Sequence, residues 1–389
     1  MTHRPLPRLS RREFVGAATA TALAAACRSG DAPGASGSAA APPVWVKDPT
    51  PFIRHPTNLE TRLEDLRGFL TPNELFFVRN HGRTPRLARE TYRLRVQGNG
   101  VRHPLELTYD DLLRLPGHGV IAYLECAGNW RKFHQEVYGR AATGEQWGTG
   151  AVGCASWYGV SLGHVLEAAG VEDAAVDVNL HGADDTAVNR PMPLAKALDA
   201  DTLLALTMNG ADLPPDHGFP VRGVVPGWSG SNSIKWLTRI VVTREPQWVK
   251  NNTTSYVLIG DAWPAARYAP ADGKPITELV VKSALALPRP ARLARGPRRL
   301  HGYAHSPHGP VRRVEWRVDG GEWRQARIVE PVLPRAWQRF EFEWDAAPGS
   351  HTLHTRARDA AGNVQPDAAP FNEKGYLLNV PIAFPVTVT

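Results

Sequence analysis

Cysteine is scarce in this chain: Cys27, Cys126 and Cys154 are the whole complement among 389 residues. None lies in a Cys-x-x-Cys pair and no Cys-x-x-Cys-His occurs, which argues against a zinc ribbon and a covalently attached haem. So few cysteines do not make a disulfide scaffold either. Charge of one sign is also in short supply. The formal excess is +7, but removing residues 1–26 leaves 41 basic and 37 acidic residues, an excess of four. That mild balance suits an anionic substrate or an acidic protein partner and does not call for nucleic acid. The one basic run, RPARLARGPRR from Arg289 to Arg299, matches no nucleic-acid motif and reads as a solvated or interdomain loop. No internal repeat recurs.

What is present describes a packed protein. Hydrophobic residues make up 42% and charged residues 21%, the balance of a globular chain rather than a disordered one. The length is best divided between two domains.

The chain opens with basic residues, then Ser10-Arg11-Arg12-Glu13-Phe14-Val15 and a charge-free, alanine-rich stretch to Ala26. Adjacent arginines before a weakly apolar segment too short to span a bilayer have the layout of a twin-arginine export signal. That route carries proteins already folded, so it points to a cofactor inserted before export. The expected location is periplasmic or otherwise outside the cytoplasm. Cys27 follows Leu-Ala-Ala-Ala and precedes RSGDAPGASGSAAAPP, a small-residue, proline-rich tether. A cysteine ahead of a tether suits a lipid anchor, the sole membrane attachment expected; plain cleavage after Ala26 is the alternative.

From about residue 50 the pattern is globular. Leu75–Val78 and Tyr92–Gln97 read as short strands, Tyr109–Leu115 and Leu162–Ala169 as helices, with Gly170 as a helix stop. Val120–Leu124 reads as a buried strand ending in a turn at Glu125-Cys126-Ala127-Gly128-Asn129. This mixture predicts an α+β domain. Beyond about residue 262 the helical period disappears. Val311–Val318, Phe340–Trp344 and His351–Arg358 alternate, with a turn at Asp319-Gly320-Gly321, which predicts an antiparallel sandwich.

Cys126 at the end of a buried strand has three readings: plain core, a thiolate ligand for a soft metal, or a nucleophile paired with His134. Cationic and hydrogen-bonding residues recur around it: Arg79-Asn80-His81, Arg131, His217, Arg222 and Lys235. Arginine suits oxyanions and phosphates because its planar fork donates two parallel hydrogen bonds. Cys154 reads as core.

The run LECAGNWR (124–131) resembles the molybdenum-cysteine segment of the sulfite oxidase family. So do LFFVRNHG (75–82), MNGADLPPDHGFPVRGVVPGWSGSNSIKWL (208–237), ITELVVKSAL (276–285) and GNVQP (362–366), in family order over nearly the whole chain beyond residue 50. The resemblance implies a sulfite-oxidase-type molybdopterin domain over 50–260 and an immunoglobulin-like β-sandwich dimerisation domain over 262–389, behind a signal at 1–26 and a linker at 27–49. It implies a molybdenum–molybdopterin cofactor with Cys126 as the protein's metal ligand. Asn80, His81, Asp184, His217, Arg222, Ser233 and Lys235 fall where the family grips the pterin and its phosphate. Arg79, Arg131, Trp147 and Tyr256 fall where it lines the pocket beside the metal. The implied activity is oxidation of sulfite, or a related small oxyanion, to sulfate by oxygen-atom transfer. The implied partners are a c-type cytochrome or other electron acceptor and a second copy of the chain.

Departures from the family pattern bear on the substrate. Lys374, in Asn372-Glu373-Lys374-Gly375, stands where the family presents an arginine, and so keeps the charge but loses the fork. Trp130 and His305-Ser306-Pro307-His308 also depart from it. Three rivals follow: reduction of a sulfoxide or nitrate on the same scaffold, a metal-free surface-anchored binding protein, and a cysteine-nucleophile hydrolase.

Overall fold

The computed structural model describes residues 44–389. The expected export signal, Cys27 and the expected linker as far as residue 43 lie outside the described residues.

Two five-stranded sheets build the first part of the fold. One is antiparallel and runs in the order Ala211–Asp212, Leu203–Met208, Val152–Ser161, Gly117–Glu125, with Arg222–Val224 also pairing on Leu203–Met208. The other is mixed. Its order is Leu105–Thr108, Arg93–Gln97, Leu237–Thr243, Asp177–Gly182, Asn189–Pro193, with Arg93–Gln97 parallel to Leu237–Thr243. The helices Tyr109–Arg114 and Leu162–Ala168 contribute Tyr109, Leu112, Leu162, Val165 and Leu166 to a buried cluster that also takes Leu94, Val96, Ile240 and Val242 from the mixed sheet. Thr108 caps the first helix, accepting from Asp111 N at 3.1 Å while the Asp111 carboxylate accepts from Thr108 N at 2.9 Å. Gly170, at φ +64°, closes the second.

A small three-stranded sheet, Phe52–Arg54, Asn58–Thr61 and Val78–Arg79, carries Arg79. Only the end of the expected Leu75–Val78 strand is extended. Pro72 accepts a hydrogen bond from Leu75 N at 2.9 Å, so the chain turns there before pairing at Val78. The aromatic Phe76 and Phe77 read as strand, but they fill the core from a turn.

The C-terminal part is a sandwich of two sheets. One is Lys282–Leu285, Gly296–His305, Gln338–Ala346, Arg327–Val329; the other is Ala291–Leu293, Phe384–Val388, Gly349–Asp359, Val311–Val318, Arg324–Gln325. Alternating burial of Gln338–Ala346 follows the expected inward and outward alternation. Gly320, at φ +73°, makes the turn after Val318. The basic run is not a loop. Ala291–Leu293 pairs with Phe384–Val388, and Gly296–His305 pairs with Gln338–Ala346 over nine residues. Arg292, Arg298 and Arg299 lie on these strands, an arrangement that charge composition does not distinguish from a solvated loop.

The sandwich and the first antiparallel sheet share one core. Tyr123, Trp130, Val152 and Cys154 pack in the same buried cluster as Tyr303, Trp337 and Phe340. Burial pushes the Cys154 thiol up to about 12, and the side chain is a packed core group.

Candidate active site

The strand Gly117–Glu125 delivers Cys126 to the point where the chain turns. Cys126 N donates to Ala151 O at 2.9 Å, and its carbonyl accepts from Asn129 N at 2.9 Å. The turn is clamped from the side by Asn129, whose Oδ1 accepts from Ala151 N at 3.1 Å. Gly230 is obligatory here, because a Cβ on it would stand 2.9 Å from Glu125 O. The loop Ser229–Ser233 therefore lies directly on the Cys126 turn.

Cys126 lies between two cavities and, with Arg79 and Tyr256, lines both. The inner one spans about 760 Å³ including space open to solvent, and the residues expected at a cofactor all line it: Asn80, His81, Asp184, His217, Arg222, Ser233 and Lys235. The outer one, about 560 Å³, is lined by the residues expected around a substrate: Arg79, Arg131, Trp147, Tyr256 and Lys374. Segments from residues 79 to 374 meet at this sulfur.

The inner cavity is lined by buried cations that make no salt bridge to a carboxylate among the described residues. Arg222, 5% exposed, donates to the carbonyls of His217 at 3.0 Å and Ser233 at 3.1 Å. Burial brings its guanidinium down to about 9. Lys235 donates to Asp216 O at 2.8 Å and to Asn80 Oδ1. Burial, and then the Arg222 charge, holds its ammonium well below the ordinary lysine range. His217 is likewise driven well below the usual histidine range by burial and by Lys47, Lys235 and Arg222, so it is neutral. No carboxylate lies within salt-bridge distance of Arg222 or Lys235 among the described residues. A buried cation without a counter-ion is costly. A phosphate seated among Arg222, Lys235 and His217 would supply that counter-ion. Asp184 is spent locally, accepting from Val188 N at 3.0 Å and Thr186 Oγ1 at 2.5 Å to hold its own turn beside the cavity.

The outer pocket is built around Arg131, which is 5% exposed. Nε donates to Lys374 O at 2.7 Å and Nη1 to Glu145 O at 2.7 Å, so both neighbours orient the fork through backbone carbonyls. The guanidinium stands 4.9 Å from the Tyr376 ring centroid. Glycine makes room for it: a Cβ at Gly128 would meet Nη2 at 2.5 Å, and one at Gly375 would meet Cγ at 2.6 Å. Burial works against the Arg79 charge, but Tyr256, Cys126, Tyr376 and Glu145 together outweigh it and hold the guanidinium above its ordinary range. Trp147 is fully buried and its Nε1 has no acceptor among the described residues. Lys374 Nζ donates to Thr254 O from the Asn372–Gly375 turn, where Gly375 N donates to Asn372 O at 3.1 Å. Tyr256, at φ +52°, brings its hydroxyl within 2.9 Å of His81 Nε2.

His134 does not reach Cys126. Its ring packs against Tyr138 and Phe371, with centroids at 5.3 and 5.9 Å, and it lines neither cavity. The hydrolase pair is therefore not assembled.

Three contributors escaped the sequence reading. Tyr376 stacks on Tyr256 at 5.7 Å and lines the outer pocket. Arg190, 2% exposed, donates to Asn232 Oδ1 at 2.9 Å and to the carbonyls of Asn251 and Ile276, and lies 5.2 Å from the Tyr256 ring. Lys47 donates to Asn73 O at 2.6 Å and Phe76 O at 2.8 Å, behind the inner cavity. None lies in a motif; only proximity to Lys374 could have drawn attention to Tyr376.

Comparison with known proteins agrees with this architecture. A family model described as oxidoreductase molybdopterin binding domain matches residues 81–250, and one described as Mo-co oxidoreductase dimerisation domain matches residues 273–388. Sulfite oxidase of Gallus gallus is 40% identical over 346 residues, covering 83% of this chain and 74% of that protein. Mitochondrial sulfite oxidase of Mus musculus is 37% identical over 367 residues, covering 86% of this chain and 66% of that protein. The chain thus spans about two thirds to three quarters of the length of these relatives. The sulfane dehydrogenase SoxCD from Paracoccus pantotrophus superposes with a TM-score of 0.76 at 31% identity, covering 85% of this chain and 84% of that one.

Proposed function

We propose that this chain, which belongs to the sulfite oxidase family of molybdopterin-dependent oxidoreductases, oxidises sulfite or a closely related sulfur anion outside the cytoplasm. Its cofactor is molybdenum–molybdopterin. Among the described residues no group of three His, Cys, Asp or Glu side chains is placed to hold a metal ion. A metal at Cys126 would therefore draw its other donors from outside the polypeptide, as a pterin dithiolene provides.

The observation that carries the reading is the place of Cys126 between a cation-lined inner cavity and an arginine-lined outer one. Cys126 would hold the metal; Arg222, Lys235, His217 and Ser233 would hold the phosphate end of the pterin, with Asn80, His81 and Asp184 along it. When bound, the cofactor supplies two-electron oxygen-atom transfer. The protein's part is positioning. Arg79 and Arg131, with Lys374 at the mouth, would orient an oxyanion beside Cys126, and the Trp147 indole N–H would offer it a further donor. Tyr256 and Tyr376 would complete the pocket wall, Tyr376 against the Arg131 guanidinium. Sulfite and water become sulfate, two protons and two electrons, and the electrons pass to a separate acceptor such as a c-type cytochrome.

The sequence features at the N-terminus support export by the twin-arginine route, with Cys27 available for lipidation. The dimerisation-domain match supports a homodimer. Lys374 in place of arginine favours testing related sulfur anions beside sulfite.

The test is purification from a host that makes the cofactor, followed by metal analysis and sulfite-dependent reduction of ferricyanide. Stoichiometric molybdenum with turnover supports the reading. Molybdenum without sulfite turnover moves the substrate to another sulfur anion, and no molybdenum overturns it.

A further inference from the structure

The residue before Cys126 is a buried carboxylate, and its partner comes from the other domain. Glu125 is fully buried and Lys282 is 1% exposed, on the first strand of the sandwich. Lys282 Nζ donates to Glu125 Oε1 at 2.7 Å and lies 3.4 Å from Asn129 O. Asn129 Nδ2 donates to the same Oε1 at 2.9 Å. The ammonium also stands 5.1 Å from the Trp130 ring centroid. Glu125 Oε2 has no hydrogen bond among the described residues, and His305 Nε2 stands 3.8 Å from it. Both ends of the Cys126-Ala127-Gly128-Asn129 turn are therefore tied to the sandwich. Leu377 N adds a third tie, donating to Ala127 O at 2.9 Å.

Stability alone is a poor reason for this arrangement. Desolvating two charges costs as much as their attraction returns, and well-packed apolar side chains often do as well. What the pair supplies is charge balance beside the one protein sulfur that would hold a metal. Electrostatic effects are strong in a water-free region of low dielectric.

We infer that Glu125 and Lys282 form a charge-balanced interdomain clamp that positions the Cys126 turn and sets the reduction potential of the metal bound there. The sandwich then acts on the active site as well as on assembly. The inference rests on the reading of Cys126 as a metal ligand. Glu125 and Lys282 are positioning residues; they act through the turn and their charge.

The test compares the parent with Glu125→Gln, Lys282→Gln and the double variant, each made in a cofactor-producing host. Molybdenum per polypeptide and the metal's midpoint potential, followed by electron paramagnetic resonance, are the readouts. Glu125→Gln leaves an unbalanced cation, which favours the reduced metal and raises the potential. Lys282→Gln leaves an unbalanced carboxylate and lowers it. The double variant returns close to the parent. Singles that load fully and either match the parent or shift in the same direction would overturn the clamp. Where neither single retains metal, recovery of molybdenum in the double variant supports mutual compensation, and persistent loss overturns it. A parent devoid of molybdenum would instead sink the reading of Cys126. Thermal melting of the four metal-free proteins then decides the clamp: a double variant less impaired than the summed singles supports it, and additive losses overturn it.

Discussion

Lys47 Nζ lies 2.6 Å from Nε2 of His217, which joins the first of the described residues to the wall of the inner cavity. The same segment is fastened by Val46 N and Lys47 N, which donate to the Asp216 carboxylate at 2.9 and 2.6 Å. Val44 O accepts from Thr84 N at 2.9 Å and from Asn80 Nδ2 at 3.3 Å. Residues 44–47 thus strap together the stretches that bring Asn80 and His217 to the cavity wall. Lys47→Met is expected to lower the molybdenum and pterin content of the purified protein several-fold, read by metal analysis and pterin fluorescence, with little change in far-ultraviolet circular dichroism.

Lys47 also gives a pH signature. Burial, only partly offset by Asp216 and Glu74, brings its ammonium down to about 7. The unfolded chain keeps a lysine pKa near 10.4. Between those values the unfolded state binds more protons, so the penalty on the folded state is fully present below about pH 7 and disappears as pH rises towards 10. Metal-free protein should gain thermal stability over that window, and Lys47→Met should flatten the gain. An equal slope in both proteins would contradict the assignment.

Acid should loosen the fold by the same linkage with a different set of groups. Burial brings both His134 and His305 down to about 4, while an unfolded histidine titrates near 6.5. Their neutral, buried state is stable above 6.5. As pH falls from 6.5 to about 4 the unfolded state takes up protons the folded state does not, and stability is lost. His134→Phe, in a pocket already lined by Tyr138 and Phe371, should reduce that loss in melting curves recorded from pH 7 to pH 4.

Cys126→Ser should abolish turnover and deplete molybdenum while the melting temperature of the metal-free protein stays near that of the parent. A hard hydroxyl is a poor substitute for a thiolate on a soft metal. Sustained sulfite oxidation by this variant would remove Cys126 from the metal.

Lys374 should act on substrate affinity. Lys374→Met removes a cation from the outer pocket and is expected to raise KM for sulfite by about tenfold, on the order of 1.4 kcal/mol, with a smaller change in kcat. Lys374→Arg restores a forked donor and should lower KM. Steady-state kinetics with ferricyanide as acceptor separates the two constants.

Arg190→Met strands three oxygen acceptors, Asn232 Oδ1 and the carbonyls of Asn251 and Ile276. A cost of about 3 kcal/mol follows from unsatisfied buried groups, visible in denaturant unfolding. Because Arg190 underlies the Tyr256 ring, kcat should fall as well.

The parts of the site legible in the sequence were those written as local motifs. Arg79-Asn80-His81, the Cys126 turn and the 208–237 run each hold several pocket residues within a few positions, so order along the chain was enough to nominate them. The sandwich was equally legible, because inward and outward alternation in Val314–Val318 and Phe340–Trp344 is a period a strand enforces, although a bulge near Arg312 breaks it at the start of the first. The Leu75–Val78 strand and the Arg289–Arg299 loop were misread, because an apolar or basic run states composition and not hydrogen-bond partners.

By itself the sequence determined the family, the two fold types and the chemical kinds available near Cys126, since these follow from short-range order and period. The tertiary structure alone decided which distant groups share a low-dielectric space. Lys47 meets His217 across 170 residues and Lys282 meets Glu125 across 157. No local rule ties such positions together; packing of one domain against the other does, and the loss of water between them makes their charges matter.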